Sequence, residues 1–327
     1  MILVTGGCGY IGSHTIVDLV NNGYNIISID NFSNSSEDTI INIQKIIGNK
    51  FINYNIDLCN LDALDLIFKT NNITEIIHFA AFKSVPNSVL NPIEYYNNNI
   101  NSLLNLLICS DKYNIKKFIF SSSCSIYGNP LDIPVSENSK IDPQSPYANT
   151  KKICEEIIKD FSKNSQIKFI SLRYFNPIGC HSSLEIGDLN GTSLLSNIIS
   201  SIGNIINVYG NDWPTKDGTC IRDYIHVLDI AESHRISLEK LAFLNEKLYF
   251  INIGRGEGFS VLELISKFEA VTGISVNYQI TQRREGDVSE VWSDTDYCKS
   301  ILNWSPKMSI ESAILSAFNY AKKLGNK

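Results

Sequence analysis

The sequence predicts an α/β protein in which a doubly wound parallel sheet is followed by a smaller, mixed α/β lobe. Three observations predict it. A strand, a glycine-rich turn and a helix open the chain; a second strand follows and ends on an acid; and strand and helix patterns then alternate as far as Phe175, the arrangement that builds a parallel sheet.

Ile2-Leu3-Val4 is a short apolar run, Gly6-Gly7-Cys8-Gly9-Tyr10-Ile11-Gly12 follows at once, and Ile11, Thr15, Ile16, Leu19 and Val20 recur at helical spacing. Ile26-Ile27-Ser28-Ile29 reads as the second strand. It ends on Asp30, roughly twenty residues past the glycines, where a ribose-binding acid is expected. Side chains at the glycines would block the turn or hold the backbone away from a pyrophosphate, whose charge is favoured at a helix N-terminus. Glycines alone would be an ordinary turn; strand, helix and acid in this order make a Rossmann-type dinucleotide unit. Asp30 accepts from a ribose 2′-OH and repels a 2′-phosphate, and Asn31, Phe32 and Ser33 offer no arginine to hold one. NAD is therefore favoured over NADP.

The polar loop Asn31 to Ser35 is placed to touch the adenosine, and Ser35 or Ser36 caps a helix carrying Ile40, Ile43, Ile46 and Ile47. Phe51 to Ile56 reads as a third strand. Asp57 after it either approaches the adenine edge or caps the helix that starts near Leu61. Glu75 to Phe79 is a fourth strand, and Ala80-Ala81-Phe82-Lys83 leaves its C-terminal end, the side of such a sheet where ligands bind. A helix from Pro92 to Tyr113 carries Asn98 on its polar face. Phe118 to Phe120 is the fifth strand, running into Ser121-Ser122-Ser123, and Ile167 to Leu172 is the sixth. Beyond Asn176 the alternation breaks. Asn176 to Gly218 reads as loop-rich with one helix at Leu194 to Ile202; Ile225 to Ile253 holds a helix and a strand that return to the sheet, and Leu262 to Ala270 and Ile310 to Ala321 are helices. The expected division is 1–175 for the dinucleotide domain, rejoined by 223–253, and 176–327 for a substrate lobe. No internal repeat or low-complexity linker is present.

With 327 residues, 43% hydrophobic and 19% charged, the chain has material for one large or two moderate cores. A net charge of -6 provides no broad field for nucleic acid or an anionic membrane, so an anionic ligand must be met by a few local cations. No apolar run approaches the roughly twenty residues that span a bilayer, and the start of the chain lacks the basic and cleavable features of a leader. A cytoplasmic location is expected. The eight cysteines and five histidines show no zinc-ligand spacing, so they read as reduced packing residues and no metal is expected.

Tyr147 and Lys151 stand four residues apart, on one face of a helix. A free phenol with a pKa near ~10 is a poor base at neutral pH, but a neighbouring ammonium and the positive nicotinamide of NAD+ both favour phenolate. Taken alone the pair is a common surface spacing. Preceded by a complete dinucleotide unit and by Ser123 at a strand end, it reads as catalytic, with Ser123 on the substrate oxygen and Lys151 on the nicotinamide ribose.

The spacing Gly6-x-x-Gly9-x-x-Gly12 is similar to that of the extended short-chain dehydrogenase/reductases. Further matches cover nearly the whole chain: His78-Phe79-Ala80, Tyr95-Tyr96, Ser121-Ser122-Ser123, Ser145-Pro146-Tyr147, Arg173 to Pro177, Asp217-Gly218-Thr219, Arg222 to His226 and Arg283-Arg284-Glu285-Gly286-Asp287. These segments resemble the UDP-glucose 4-epimerase family. The resemblance implies tightly held NAD, a homodimer and interconversion of UDP-galactose and UDP-glucose. It places Tyr10, Ile11, Asp30, Asn31, Phe32, Ser33, Asn34, Ser35, Asp57, Leu58, Phe79, Ala80, Ala81, Phe82, Lys83, Asn98 and Phe175 against the cofactor, and Asn176, Ser193, Leu194, Tyr209, Arg222, Arg284 and Asp287 against the UDP-sugar.

Arg222 and Arg284 also suit a diphosphate on their own chemistry, as permanently charged forks in an acidic protein; the alternative is a surface ion pair with Asp223, Glu285 or Asp287. Two departures stand out. Ser193 occupies a position usually held by Asn and keeps part of its hydrogen bonding. Val291 stands where the family carries a residue flanking the sugar, Tyr in enzymes for simple hexoses and a smaller one where an N-acetyl group is admitted; either the resemblance implies some activity on UDP-N-acetylhexosamines, or Val291 only packs, with Trp292 or the Ser193 loop filling the space. A nucleotide-sugar dehydratase shares the tyrosine and lysine but needs an Asp-Glu pair beside the serine, where this chain has Cys124 and Ser125. An NADPH reductase is disfavoured by Asp30, and a non-catalytic dinucleotide sensor by the intact Ser123, Tyr147 and Lys151 set.

Overall fold

A computed structural model of the chain describes residues 1–188, 191, 193–284 and 287–325. Its elements in order are β1 (Ile2–Thr5), α1 (Tyr10–Asn21), β2 (Ile26–Ile29), α2 (Asp38–Ile47), β3 (Ile52–Tyr54), α3 (Leu61–Thr70), β4 (Glu75–His78), α4 (Val85–Leu90), α5 (Pro92–Lys112), β5 (Lys117–Ser123), α6 (Pro146–Asn164) and β6 (Lys168–Tyr174). They continue with β7 (Asn176–Ile178), α7 (Leu194–Ser200), β8 (Ile205–Tyr209), β9 (Ile221–His226), α8 (Val227–Leu241), β10 (Leu248–Ile253), β11 (Gly258–Ser260), α9 (Val261–Thr272), β12 (Asn277–Thr281), β13 (Glu290–Val291), α10 (Asp296–Leu302) and α11 (Ile310–Gly325). Two compact units emerge. One comprises Met1–Ile126, Pro143–Arg173 and Ala231–Ile251; the other comprises Tyr127–Asp142, Tyr174–Ile230 and the chain from Asn252.

The first unit is built on a seven-stranded sheet in the order β10-β6-β5-β4-β1-β2-β3. β1 pairs in parallel with β2 and β4, β2 with β3, and β4 with β5. The chain winds outward from β1 to β3 and then returns to β4 on the other side of β1. That reversal opens a crevice at the carboxyl ends of β1 and β4, where doubly wound sheets bind ligands. Thr5 and His78 are register partners there, and the Thr5 hydroxyl meets His78 Nδ1 at 2.7 Å. β1, β2 and β4 read as near-continuous apolar runs because helices cover both sheet faces; Leu3, Ile27, Ile29, Ile76, Phe118, Phe120 and Phe169 join Leu64, Leu103, Leu106 and Ile158 in one buried cluster.

The edge shows two departures from the sequence reading. The third strand shrinks to Ile52–Tyr54 with Ile52 exposed, because an edge strand covered on fewer sides needs fewer apolar positions. Helix α3 is capped by Asn60, whose side chain accepts from Ala63 N, so Asp57 is not its cap; Asp57 Oδ1 accepts from Cys59 N at 2.8 Å instead.

In the second unit β9 pairs in parallel with β7 and β13 and antiparallel with β11, and β8 pairs in parallel with β12. Ile205 to Tyr209 alternates exposed and buried, a half-buried strand where a loop was expected. Its core gathers Ile178, Leu195, Ile198, Val208, Tyr224, Leu264, Phe268 and Ile314. Among the described residues no helix is long and apolar enough to cross a membrane.

Candidate active site

The cofactor end of the first unit is set by close backbone approaches. Gly6 has φ +69°, and a Cβ there would sit 2.7 Å from Ala80 N. At Gly12 a Cβ would lie 2.2 Å from Gly6 O. The glycine turn therefore folds onto the start of α1 and onto the residue leaving β4, with Gly9 N donating to Gly6 O at 3.1 Å. Gly9 is the N-cap of α1; the amides of Tyr10, Ile11 and Gly12 at that first turn lack intrahelical acceptors and favour an anion.

Asp30 has more work than its ribose role suggested. Its Oδ2 accepts from Cys8 N at 2.9 Å, and its Oδ1 from Phe32 N at 3.0 Å and from the Ser35 hydroxyl at 2.7 Å. The carboxylate thus staples the glycine turn to the loop after β2, where Phe32 takes a left-handed φ of 58°. Ser33 N is turned onto Asn31 Oδ1. Ser35 is spent on Asp30, while the Ser36 hydroxyl accepts from Asp38 N at 3.2 Å, one position ahead of Glu37, the N-cap of α2. Asp30 Oδ1 is thereby filled while Oδ2 keeps a lone pair in reserve, so a glycine cradle, a helix start without a side-chain cap and an acid at the end of the next strand fit an NAD pyrophosphate and ribose. Leu58 is buried with its carbonyl held by Asn105 Nδ2, Phe79 packs on His234 and Phe82 on Tyr95, and Lys83 is exposed.

Asn99 is a residue the sequence reading missed. Its Oδ1 accepts from Phe82 N at 2.8 Å and from Asn98 Nδ2 at 3.0 Å, while its Nδ2 donates to Phe82 O and to the Thr150 hydroxyl, both at 3.0 Å. Every polar capacity of the amide is used, tying the loop after β4 to α6. In a run of three asparagines, only burial separates this one from its neighbours.

Ser123, Tyr147 and Lys151 come together where β5 ends and α6 begins. Ser145 caps α6 by accepting from Ala148 N, with Pro146 at the first position, as a sharp helix start requires. The Ser123 hydroxyl lies beside the Tyr147 phenol; burial pushes that phenol up to about 12 while Ser123 pulls against the rise. Lys151 lies one turn on, and its Nζ donates to Ser121 O at 2.7 Å with the Phe120 ring 5.0 Å away. Burial pushes Lys151 down to about 8, opposed by Cys154 and Glu155. Lys151 is engaged by the Ser121 carbonyl and is not among the groups that shift the phenol.

In the second unit Arg222, Arg284 and Asp287 surround Cys220: burial raises its thiol, the two arginines pull it down and Asp287 adds to the rise. Arg284 lies 5.3 Å over the Tyr209 ring and donates to Asp287 at 2.8 Å, the ion pair considered from the sequence. Arg222 donates to Ile221 O and is the register partner of the buried Val291. Asn176 Nδ2 donates to Asp223 O at 2.9 Å, and Phe175 is buried with its amide on Ile253 O. Ser193 is the N-cap of α7, accepting from Ser196 N, and Leu194 packs on the core; neither is joined to the arginine cluster by these bonds. Glu285 and Gly286 lie outside the described residues. Among the described residues no group of three or more His, Cys, Asp or Glu side chains could hold a metal ion.

A family model described as GDP-mannose 4,6 dehydratase matches residues 3–316. UDP-glucose 4-epimerase of Bacillus subtilis is 40% identical over 329 residues, which cover 98% of this chain and 96% of that one. The chain belongs to the UDP-glucose 4-epimerase family. Within that family, the solved Bifidobacterium longum epimerase in complex with NAD+ and UDP is 36% identical, with a TM-score of 0.93 and 99% of each chain covered. The UDP-Glc/GlcNAc 4-epimerase of Campylobacter jejuni is 35% identical, with a TM-score of 0.85 and coverage of 98% of this chain and 99% of that one. The family model's dehydratase description sets the breadth of the superfamily. Ser123-Cys124-Ser125 lacks the Asp-Glu pair of that reaction.

Proposed function

We propose that the protein is an NAD-dependent UDP-glucose 4-epimerase that interconverts UDP-galactose and UDP-glucose. The observation that carries this reading is Ser123 beside the Tyr147 phenol, with Lys151 one turn further along α6, in the same unit as a glycine turn stapled by Asp30. Tyr147 Oη is the proposed acceptor of the sugar 4-OH proton, directly or through Ser123, and the donor that returns it. Ser123 orients the substrate oxygen, while Lys151 hydrogen-bonds the nicotinamide ribose. NAD+ supplies a two-electron acceptor at the sugar's C4, and the 4-keto sugar takes the pair back on either face, so no net oxidation follows. Arg222 and Arg284 hold the diphosphate, with Tyr209, Asn176, Ser193, Leu194 and Asp287 beside the nucleotide and sugar.

The test is UDP-galactose supplied alone to the purified protein. UDP-glucose should appear, and denaturation should release NAD. Proton transfer by a placed group is worth about 10² to 10⁴ in rate, so Tyr147→Phe should lose at least that much while folding and retaining NAD. Near-normal turnover in Tyr147→Phe would remove Tyr147 from the mechanism.

Two finer readings belong to the same proposal. Activity extends to UDP-N-acetylhexosamines because Val291, far smaller than tyrosine, is the register partner of Arg222. The protein acts as a cytoplasmic homodimer: Ile93, Leu104 and Ile108 are exposed along α5 at spacings that form one helical stripe for a second copy, and eight free thiols suit a reducing compartment.

A further inference from the structure

We propose that Asp223 is a positioning residue for the nucleotide-sugar site, holding the strands that carry Arg222 and Val291 in register. The inference rests on Arg222 being a substrate contact. Asp223 lies in the middle of β9 with no exposure to solvent, and a buried carboxylate is unfavourable unless hydrogen bonds compensate it. Here the compensation comes from four donors. Oδ1 accepts from Arg255 N at 2.8 Å; Oδ2 accepts from Gly256 N at 3.0 Å, Ser293 N at 3.2 Å and the Ser293 hydroxyl at 2.7 Å. Ser293 Oγ in turn accepts from Gly256 N at 3.2 Å.

These donors belong to the segments that frame Arg222. Ser293 follows β13, where Val291 is in register with Arg222; Gly256 stands in the turn before β11, where Phe259 is in register with Arg222 from the other side. The Asp223 backbone carbonyl accepts from Asn176 Nδ2 at 2.9 Å. One residue thereby touches the segments bearing Asn176 and Val291, and it adjoins Arg222 in sequence. The knot has no slack, because a Cβ at Gly254 would come within 2.4 Å of Asp223 Oδ2 and 2.3 Å of Ser293 Oγ. Asparagine cannot replace it: whichever way the amide is turned, its NH2 faces a backbone donor.

The experiment compares wild type, Asp223→Asn and Ser293→Ala as full chains with their bound NAD. UDP affinity is measured by calorimetry, and KM and kcat are measured with UDP-galactose. Asp223→Asn should weaken UDP and raise KM by about tenfold or more, and Ser293→Ala, which removes one donor of four, by roughly threefold, with kcat and NAD content within about twofold of wild type. A purely structural role would instead lower NAD content and kcat along with affinity, and that result overturns the proposal. If Asp223→Asn fails to fold, Ser293→Ala decides by the same criterion. UDP affinity is independent of turnover: a wild type that binds UDP but converts no UDP-galactose, beside a weakened Asp223→Asn, sinks the epimerase reading and supports this one. Unchanged UDP affinity in the variants overturns this one whatever the turnover.

Discussion

Replacing Asp30 by alanine should expose two roles of one carboxylate. The first is structural. Asp30→Ala removes the acceptor of Cys8 N, Phe32 N and the Ser35 hydroxyl. Phe32 and Ser35 are partly exposed and can turn to water, whereas Cys8 is buried. Leaving one buried amide unsatisfied costs about 1–3 kcal/mol, so the cofactor-free protein should lose about 2 kcal/mol in a urea titration. The second role is selective. A hydrogen bond to a charged acceptor contributes about 1.5–3 kcal/mol, which for the ribose 2′-OH is roughly a tenfold to hundredfold loss of NAD affinity. NADP should lose less, since the repulsion of its 2′-phosphate disappears with the same group. The assay is a pair of affinities, NAD and NADP, beside the urea curves. Lower stability with an unchanged NAD to NADP ratio would show that Asp30 only staples the turn, and the selectivity argument would be wrong.

Gly12→Ala should abolish tight NAD binding, because its Cβ would lie 2.2 Å from Gly6 O, whereas Gly48→Ala, at φ +68° with open space around it, should cost about 1–2 kcal/mol of stability and leave NAD content unchanged; equal NAD content in the two would refute the cradle. Burial pushes His78 down to about 3 and His226 down to about 4, so as pH falls below the ordinary histidine value the unfolded chain takes up protons the folded rings refuse. Stability should therefore be full above about pH 6.5 and fall by roughly 1.4 kcal/mol per pH unit for each histidine on the way to pH 4. Urea titrations of His226→Asn should show a shallower slope in that window, and an unaltered slope would contradict the assignment. Val291→Tyr should lower kcat/KM for UDP-N-acetylgalactosamine against UDP-galactose by roughly tenfold or more; if wild type ignores the N-acetyl sugar, or the ratio does not move, the pocket argument fails.

What was legible in the sequence was what depends on near neighbours. Ile2-Leu3-Val4, the glycine turn and the second strand are contiguous, so their order already specified a βαβ unit. The strands of the second unit escaped because they are short and their partners lie far away: β9, Ile-Arg-Asp-Tyr-Ile-His, carries two charges in six residues and becomes a strand through β7, β11 and β13. The same distance hid Asp223, whose donors come from Arg255, Gly256 and Ser293.

The Tyr147 and Lys151 pair shows where spacing stops informing. Four residues on a helix put both side chains on one face, but spacing does not say which acceptor an ammonium will choose. A buried backbone carbonyl is an obligatory acceptor that must be satisfied, and Ser121 O lies within reach of the ammonium. Lys151 accordingly donates to Ser121 O, and the phenol, without a bonded cation, is held up at about 12 by its burial. Under the proposed function, Tyr147 would take up the sugar proton near neutral pH only with positive charge beside it, which the nicotinamide of NAD+ would supply.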